Sequence, residues 1–296
     1  MCELFAVSAD HSIDITGWLR TFFSHSDRHP HGYGLAVFPQ HEHGPEHGPE
    51  HGCEHGRERG YEHGEHEIEG FAGKHADADE RPEILREAVK ASRSETLTAL
   101  LAKGVAAGTA IAHIRRATIG NVELSNCHPF VVRSMDGRFG TLAHNGTIFS
   151  YSPLNIYYYK QLGETDSERI LLRLMDLLLQ KERQLGREAT PGERFSLWED
   201  EFGKMAPGNK LNILFHYADT LYVHTNCEKT LYMREGDGFC VFATVPLDSC
   251  PWKPVPMMRL LAFENGCLTE CGRCHGCSYV DNIEDLKFLY MAYAGL

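Results

Sequence analysis

The chain of 296 residues is 42% hydrophobic, enough apolar material to bury the core of a large globular domain. Its formal net charge of -12 argues against nucleic acid or an anionic membrane surface as a partner, because both require a concentrated basic face. The first residues lack the basic and apolar segments of a signal peptide, and no run of about 18 apolar residues occurs, so we expect a cytoplasmic protein.

The first part of the chain contains predicted strands, one predicted helix and a long low-complexity insert. Residues 2–8 are an apolar run typical of a strand, residues 18–23 have helical spacing, and Tyr33–Phe38 is a second strand. Residues 41–70 approximate a Glu-His-Gly repeat with nine Glu, two Arg and seven His, a net charge of -7. Few of these side chains can enter a core, so we predict a disordered or loosely held loop.

The rest of the chain contains more predicted strands and two predicted helices. Residues 82–103 are predicted as a helix with Pro82 in its first turn, and a longer helix is predicted after Thr165 and Glu168, which have the spacing of a capping box. The predicted strands are within 108–117, 137–148, 210–225 as a hairpin around Ala218, 239–247 and 257–266. Many strands with few long helices indicate an α+β fold.

Five short motifs carry the chemistry of the chain. In order they are Cys2 behind the initiator methionine, AHIRRAT (112–118), NCHPF (126–130), AHNG (143–146) and GETDSE (163–168). Together they resemble the class II glutamine amidotransferases, the N-terminal-nucleophile type, in the stand-alone glutaminase form. The resemblance runs from Cys2 to about Phe263. It implies a four-layer αββα sandwich of the N-terminal-nucleophile hydrolase type, with a glutaminase domain over 1–266 and a Cys-rich tail with a short helix over 267–296.

The expected catalytic residues are Cys2, Asn145 and Gly146. Removal of Met1 would leave the Cys2 thiol beside an α-amino group with a pKa of about 7.7 to 8, which is a usable base near neutral pH. A tetrahedral intermediate needs preorganised donors at its oxyanion. The resemblance assigns these to the Asn145 side-chain amide and the Gly146 backbone N–H. Taken singly, Cys2 is also just a small residue that permits methionine removal, and Asn-Gly is also a common turn.

The expected substrate-binding residues are Arg115, Thr118, His128 and Asp166. A guanidinium binds a carboxylate bidentately, so Arg115 suits the α-carboxylate of glutamine and Asp166 its α-ammonium. The resemblance implies a loop containing Thr118 that closes over glutamine and a His128 that shapes this loop. The chain departs from the family pattern at two positions, where Arg116 stands in place of Trp or Gln and His31 stands in place of aspartate. These departures concern the loop that closes over glutamine and the side of the site that faces an ammonia acceptor. The identity of the substrate therefore stays open.

The resemblance implies cleavage of the γ-glutamyl amide of glutamine or of a γ-glutamyl compound through a Cys2 thioester, without a cofactor. One interpretation is a glutaminase that supplies ammonia to a separate synthase subunit. Another is a γ-glutamyl peptide hydrolase similar to enzymes of ergothioneine synthesis and glutathione breakdown. A third, from a different class, is a non-catalytic metal-handling protein built on this fold.

Two segments are candidates for metal binding. The histidines of 41–70 suit adventitious or structural Zn(II), Ni(II) or Cu(II), although a solvated repeat is the favoured interpretation. In the tail, Cys267, Cys271, Cys274 and Cys277 are candidate zinc ligands, with reduced thiols as the favoured alternative. Residues 283–296 are predicted to form a helix that docks on the body or on a second subunit of a homo-oligomer.

Overall fold

The computed structural model describes residues 2–39, 66–67, 81–118, 120–134, 137–282 and 287. The strands are β1 (Glu3–Asp14), β2 (Tyr33–Phe38), β3 (His66–Glu67), β4 (Glu83–Glu87), β5 (Ala106–Ile114), β6 (Phe130–Arg133), β7 (Phe139–His144), β8 (Asn212–Tyr217), β9 (Thr220–Thr225), β10 (Tyr232–Gly236), β11 (Phe239–Ala243), β12 (Lys253–Pro254), β13 (Arg259–Glu264) and β14 (Cys267–Cys271). The helices are α1 (Thr16–Ser24), α2 (Glu95–Lys103), α3 (Asp166–Leu185) and α4 (Pro191–Met205).

The described strands form two sheets of seven. The first has the order β12-β10-β11-β1-β5-β2-β4, and the second β14-β13-β9-β8-β7-β6-β3. Neighbouring strands are antiparallel, except that the two-residue strand β3 runs parallel to β6. Strand β1 begins directly after Cys2, β5 ends directly before Arg115, and β7 ends directly before Asn145, so these strands carry three of the predicted site residues.

Three apolar clusters define four layers. One lies between the sheets and includes Leu4, Ile111 and Leu214. A second packs α1 and α2 against the outer face of the first sheet, and a third packs α3 and α4 against the outer face of the second sheet. Every layer thus buries one apolar face against its neighbour, as stable layered folds require. The predicted four-layer αββα sandwich is confirmed.

Most of the predicted elements are confirmed. Strand β2 has the predicted limits, the hairpin of β8 and β9 turns at Ala218, and α3 begins after Thr165, whose hydroxyl accepts a hydrogen bond from Glu168 N at 3.4 Å. The Glu168 carboxylate accepts hydrogen bonds from the N–H groups of Leu162 and Gly163, both at 2.8 Å. It therefore fixes the segment that precedes the helix.

The predicted helix over residues 82–103 is wrong in its first half. Residues Glu83–Glu87 form β4, which pairs with β2 at the edge of the first sheet, and only Glu95–Lys103 are helical. Ser94 caps this helix by accepting a hydrogen bond from Leu97 N at 3.0 Å. The backbone groups of β4 find partners in β2, and this pairing overrides the weak local preference for a helix.

Helix α4 was missed by the sequence analysis although its start carries a clear signal. Thr190 Oγ1 accepts a hydrogen bond from Glu193 N at 3.3 Å, and the Glu193 carboxylate accepts one from Thr190 N at 2.8 Å, so the capping box is complete. Pro191 follows at the first helical position, where its missing N–H costs nothing. The helix buries Trp198 against the second sheet.

The substitution Thr190→Ala is expected to lower the free energy of unfolding by about 1 kcal/mol, because it removes the acceptor for Glu193 N. Thr190→Ser, which keeps the hydroxyl, should change it by less than about 0.5 kcal/mol. Urea unfolding of both variants and the wild type measures the difference. An equal loss in both variants would contradict the capping role.

The tail continues the second sheet, because β14 pairs with β13 and Tyr279 forms a bridge with Cys227. Cys267 and Cys271 stand at opposite ends of β14, about 13 Å apart at the usual rise of a strand, whereas zinc-bound sulfurs share one ion at about 2.3 Å. In the part of the chain that the structure describes, no three His, Cys, Asp or Glu side chains are placed to hold a metal. The four tail cysteines therefore do not form the candidate zinc site in this arrangement.

Two predictions fall on segments that are largely outside the described residues. Of the insert 41–70 only the backbone of His66 and Glu67 is described, as β3, so its proposed disorder and metal binding stay predictions. The same holds for the helix predicted over 283–296. Among the described residues, no helix has the length and apolar character needed to cross a bilayer.

Candidate active site

Cys2 lies at the entrance to β1, opposite the chain that leaves β5. The pairing of Glu3 with Ile114 brings the next residues of β5 alongside the thiol. Arg116 N donates a hydrogen bond to Cys2 Sγ at 3.3 Å, and the Arg116 carbonyl oxygen lies 3.5 Å from the same sulfur. Two neighbouring strands of one sheet therefore fix the position of the thiol.

Opposite charges act on the thiol. Burial raises the pKa of Cys2; the hydrogen bond from Arg116 and the positive charge of Arg115 oppose this rise, and the negative charge of Asp166 adds to it. Arg115 is 3% exposed and directly follows β5, and Asp166 is 7% exposed and is the first residue of α3. The fold thus brings together Cys2, Arg115 and Asp166, which are far apart in the sequence.

The Asn145-Gly146 turn directly follows β7. Asn145 N donates a hydrogen bond to the Asn212 carbonyl at 2.9 Å, so the turn is attached to β8. A β-carbon at Gly146 would lie 1.9 Å from the Lys210 carbonyl oxygen and 2.3 Å from His144 Nε2, so only glycine fits. Within the described residues, neither the Asn145 side-chain amide nor the Gly146 N–H has a hydrogen-bond partner. The fold therefore holds these two donors in place and, among the described residues, uses neither of them in a hydrogen bond of its own.

Asp166 connects the turn to the neighbourhood of the thiol. Its Oδ2 accepts a hydrogen bond from Ile148 N at 2.6 Å, two residues beyond Gly146. Its Oδ1 lies 3.2 Å from the Ser167 hydroxyl, which is also 3.0 Å from His144 Nδ1. The N-terminus of α3 stabilises the carboxylate further. One carboxylate therefore orders the segment after the turn and places a negative charge near Cys2.

His128 lies beneath the site, between the two sheets. Its Nδ1 accepts a hydrogen bond from His144 N in β7 at 3.3 Å, and its ring packs on His113 of β5 at a centroid distance of 4.1 Å. Burial lowers the pKa of His113, His128 and His144, so neutral rings are favoured. His128 thus ties together the strands that lead to Arg115 and to Asn145.

Thr118 belongs to the loop that follows β5 and is half-buried. Two groups fasten this loop. The Arg115 guanidinium donates hydrogen bonds to the carbonyl oxygens of Asn121 at 2.8 Å and Gly120 at 3.3 Å. The Glu164 carboxylate accepts from Asn121 N at 2.7 Å and from the Asn126 side chain at 3.1 Å, and these hydrogen bonds hold the pKa of Glu164 below its ordinary value.

The contacts of Glu164 and Asn126 were missed by the sequence analysis, although both residues lie in quoted motifs. Asn126 Oδ1 also accepts a hydrogen bond from Glu164 N at 2.7 Å, so the two residues form a reciprocal pair. Their separation along the chain left no local periodicity or spacing to reveal it. The available signal was a polar residue in each of the two motifs NCHPF and GETDSE.

The structure explains both departures from the family pattern. His31 Nδ1 accepts a hydrogen bond from Ala117 N at 2.9 Å, which is a function that an aspartate oxygen can also perform. Burial and the charges of Arg115 and Arg116 lower the pKa of His31 and favour the neutral ring that can accept. Arg116 reaches the thiol through its backbone, and its side chain is exposed, so the residue type at this position does not alter that contact.

Comparison with known proteins identifies similar chains. The Escherichia coli protein YafJ, which carries the name of a glutamine amidotransferase, is 35% identical over 123 residues, covering 41% of this chain and 46% of YafJ. An uncharacterized protein of Methanocaldococcus jannaschii is 24% identical over 90% of this chain and 70% of its own length. Glutamine phosphoribosylpyrophosphate amidotransferase from B. subtilis has a similar fold, with a TM-score of 0.55 and 14% identity over 92% of this chain and 49% of that chain.

The chain thus spans about half the length of the E. coli and B. subtilis proteins. The sequence profile of the class-II glutamine amidotransferases matches residues 59–237, more than half of the chain. This match confirms the resemblance to the family that the motifs indicated. The chain therefore belongs to the class II glutamine amidotransferases, a family of enzymes that hydrolyse or transfer the amide of glutamine.

Proposed function

We propose that this chain cleaves γ-glutamyl amides, glutamine first among them, through a thioester on Cys2. The observation that carries the proposal is that the Cys2 thiol, held by Arg116 N, lies close enough to Arg115 and Asp166 for both charges to act on its pKa. In the proposed reaction Sγ attacks the γ-carbonyl carbon, the tetrahedral intermediate expels ammonia or an amine, and water then hydrolyses the thioester to release glutamate. The thiol is regenerated in the last step.

The α-amino group of Cys2 is the proposed base. Burial raises the pKa of the Cys2 thiol, so the nucleophile needs a group that takes its proton. After removal of Met1, the α-amino group belongs to the same residue and has a usable pKa near neutral pH. The proton taken from Sγ then passes to the departing amine.

Asn145 and Gly146 are the proposed oxyanion donors. Both belong to a turn that β8 and Asp166 hold in place, and both carry an N–H without a partner among the described residues. Donors that are already oriented stabilise a developing negative charge without a reorganisation cost. The close contact of Gly146 with the Lys210 carbonyl explains why no side chain is present there.

Arg115 and Asp166 are the proposed partners of the α-carboxylate and α-ammonium groups of the substrate. Their opposite charges match the two ends of an amino acid, and both act on the same thiol. Arg115 also holds the carbonyl oxygens of Gly120 and Asn121, so substrate binding and the position of the Thr118 loop are linked. In this proposal Thr118 acts as part of the loop that follows β5. His128 acts through its contacts with the strands that lead to Arg115 and to Asn145.

A group of exposed apolar side chains, here named the apolar rim, favours a separate ammonia-accepting protein as partner. The rim consists of Val122, Leu124, Tyr158, Tyr159 and Leu162, of which Tyr159 is 92% exposed. The two segments that carry it touch near Gly163, where a β-carbon would lie 2.4 Å from the Ser125 carbonyl oxygen. Clustered apolar side chains at the surface are typical of protein interaction sites. The γ-glutamyl peptide hydrolase remains the alternative, with the rim contacting the leaving amine.

The test is an assay of the purified protein, shown by intact mass to lack Met1, with glutamine and a panel of γ-glutamyl amides. Glutamate release is measured, and an electrophilic glutamine analogue identifies the labelled residue by peptide mass. We expect turnover of glutamine and labelling of Cys2. Preference for a γ-glutamyl peptide selects the alternative. Labelling elsewhere, or no labelling of a protein that lacks Met1, overturns the proposal.

The substitution Arg115→Lys is expected to raise KM for glutamine by about 10- to 100-fold, because a lysine cannot bind the carboxylate bidentately. The matched control is Arg116→Lys, which alters the exposed neighbouring side chain and should leave KM within about threefold. Initial rates over a glutamine series give both constants. An equal rise of KM in the two variants would contradict the assignment of the carboxylate to Arg115.

A further inference from the structure

The segment that supports the Asn145-Gly146 turn contains a buried lysine, Lys210, which is 3% exposed. Its backbone pairs with Thr147 in both directions, with each N–H 3.1 Å from the carbonyl oxygen of the other residue. The Lys210 carbonyl oxygen also lies 3.0 Å from His144 Nε2, and a β-carbon at Gly146 would lie 1.9 Å from it. The backbone of Lys210 therefore contacts the chain before, within and after the turn.

The ammonium group of this lysine contacts a carboxylate of the tail. Lys210 Nζ donates hydrogen bonds to Asp281 Oδ1 at 3.1 Å and to Asp281 Oδ2 at 3.2 Å. The lysine side chain is 4% exposed and that of Asp281 is 41% exposed, so the lysine carries most of the desolvation cost of the pair. Removal of a carboxylate from a buried ammonium group is much more costly than removal of both charges together. Asp281 thus stabilises Lys210 in its buried position.

A second tail residue, Tyr279, packs on the same support. Its ring lies parallel to that of Phe149, with an interplanar angle of 9° and a centroid distance of 6.0 Å, and Lys210 Nζ lies 5.6 Å from the Tyr279 centroid. Phe149 comes three residues after Gly146, and its N–H donates to Asn209 Oδ1 at 2.6 Å. Tyr279 therefore contacts both segments that support the turn.

The buried side chain of Asn226 places the tail beside this support. Tyr279 N donates to the Asn226 carbonyl at 2.8 Å, and Asn226 Nδ2 donates to the Cys277 carbonyl at 3.4 Å. Asn226 Oδ1 accepts a hydrogen bond from Leu211 N at 2.8 Å, one residue after Lys210. One amide side chain thus links the tail to the segment that contains Lys210, and Asp281 follows two residues after the linked Tyr279.

We propose that Asp281 is a positioning residue of the active site, which holds Lys210 and thereby fixes the Lys210 carbonyl against Gly146. The inference rests on the proposed function, in which Asn145 and Gly146 stabilise the oxyanion. These donors act on a charge that develops in the transition state, so a displaced turn lowers kcat and leaves the binding of glutamine unchanged.

The experiment compares Asp281→Asn, Asp281→Glu and Glu235→Gln with the wild type, each a full chain shown by intact mass to lack Met1. Asp281→Asn should lower kcat for glutamine about tenfold and leave KM within about threefold, because it displaces the oxyanion donors without removing them. Asp281→Glu keeps the carboxylate and should keep kcat within about threefold. Glu235→Gln is the matched control, because it removes the carboxylate of an exposed ion pair with Lys253 and should leave both constants unchanged.

A double variant tests the action through Lys210. Lys210→Met combined with Asp281→Asn removes the buried charge together with its partner, so kcat should return to within about threefold of the wild type. If kcat of the double variant stays as low as that of Asp281→Asn, Asp281 does not act through Lys210 and the proposal is wrong. A rise of KM with kcat preserved in Asp281→Asn would overturn it as well.

Hydrogen exchange separates failure of this inference from failure of the proposed function. The Thr147 amide donates to the Lys210 carbonyl, so Asp281→Asn should speed its exchange about tenfold, while Glu235→Gln should not. Exchange at the wild-type rate in Asp281→Asn overturns the positioning role, whatever the activity. Faster exchange in Asp281→Asn, together with a wild type that hydrolyses no γ-glutamyl amide, would contradict the proposed function and support the hold of Asp281 on the turn.

Discussion

The substitution Cys2→Ala is expected to lower glutamate release from glutamine by at least about 10⁴-fold, because it removes the atom that forms the thioester. The fold should be unaffected, since the contacts of the thiol are confined to one hydrogen bond from Arg116 N and the nearby Arg116 carbonyl. Release of glutamate is measured for variant and wild type after intact mass has shown the N-terminus of each.

Two further chains make this result specific. Cys250→Ala removes an exposed thiol and should keep full activity. A chain with one uncleavable residue before Cys2 keeps the thiol but converts its α-amino group into an amide, so it should be nearly as inactive as Cys2→Ala. Activity of this extended chain within about tenfold of the wild type would exclude the α-amino group as the base. If Cys2→Ala keeps more than a tenth of the wild-type rate, Cys2 is excluded as the nucleophile.

Local signals predicted the elements whose structure depends on local chemistry. The α3 helix follows from the Thr165 cap and apolar residues at helical spacing, and the hairpin at Ala218 from two apolar runs that flank a turn. The capping box of Thr190 and Glu193 was equally local and was overlooked. The strand at Glu83–Glu87 is different, because its conformation depends on pairing with β2 across the insert. No window of neighbouring residues contains that information.

In the candidate site, too, some features follow from local sequence and others depend on long-range packing. The motifs predicted the residue types, because a thiol, an arginine, an aspartate and an Asn-Gly turn each have a recognisable chemistry. The contacts that position them depend on long-range packing: His31 holds Ala117, and Asp166 holds Ile148. The strand order of the two sheets, which brings β5 and β7 to the same place, could not be derived from spacing. The pairing of Glu164 with Asn126 is a further consequence of this order.

The substitution Asn145→Ala is expected to lower kcat for glutamine by about 10²- to 10³-fold, the usual cost of losing one oxyanion donor. KM should change by less than about threefold, because the donor acts on a charge that develops only in the transition state. The turn should persist, since its attachment to β8 uses Asn145 N, a backbone group that alanine retains. Initial-rate kinetics separate the two constants, and thermal unfolding checks the fold.

Asn145→Asp sharpens the test, because it preserves the size of the side chain while replacing its N–H donors by a carboxylate. The negative charge should repel the oxyanion, so kcat should fall at least as far as in the alanine variant. Asn155→Ala, at an exposed position, is the control and should leave kcat unchanged. A rise of KM with kcat preserved would instead place Asn145 in ground-state binding of the substrate. The oxyanion would then rely on the Gly146 N–H, whose position the close approach of the Lys210 carbonyl fixes independently of the Asn145 side chain.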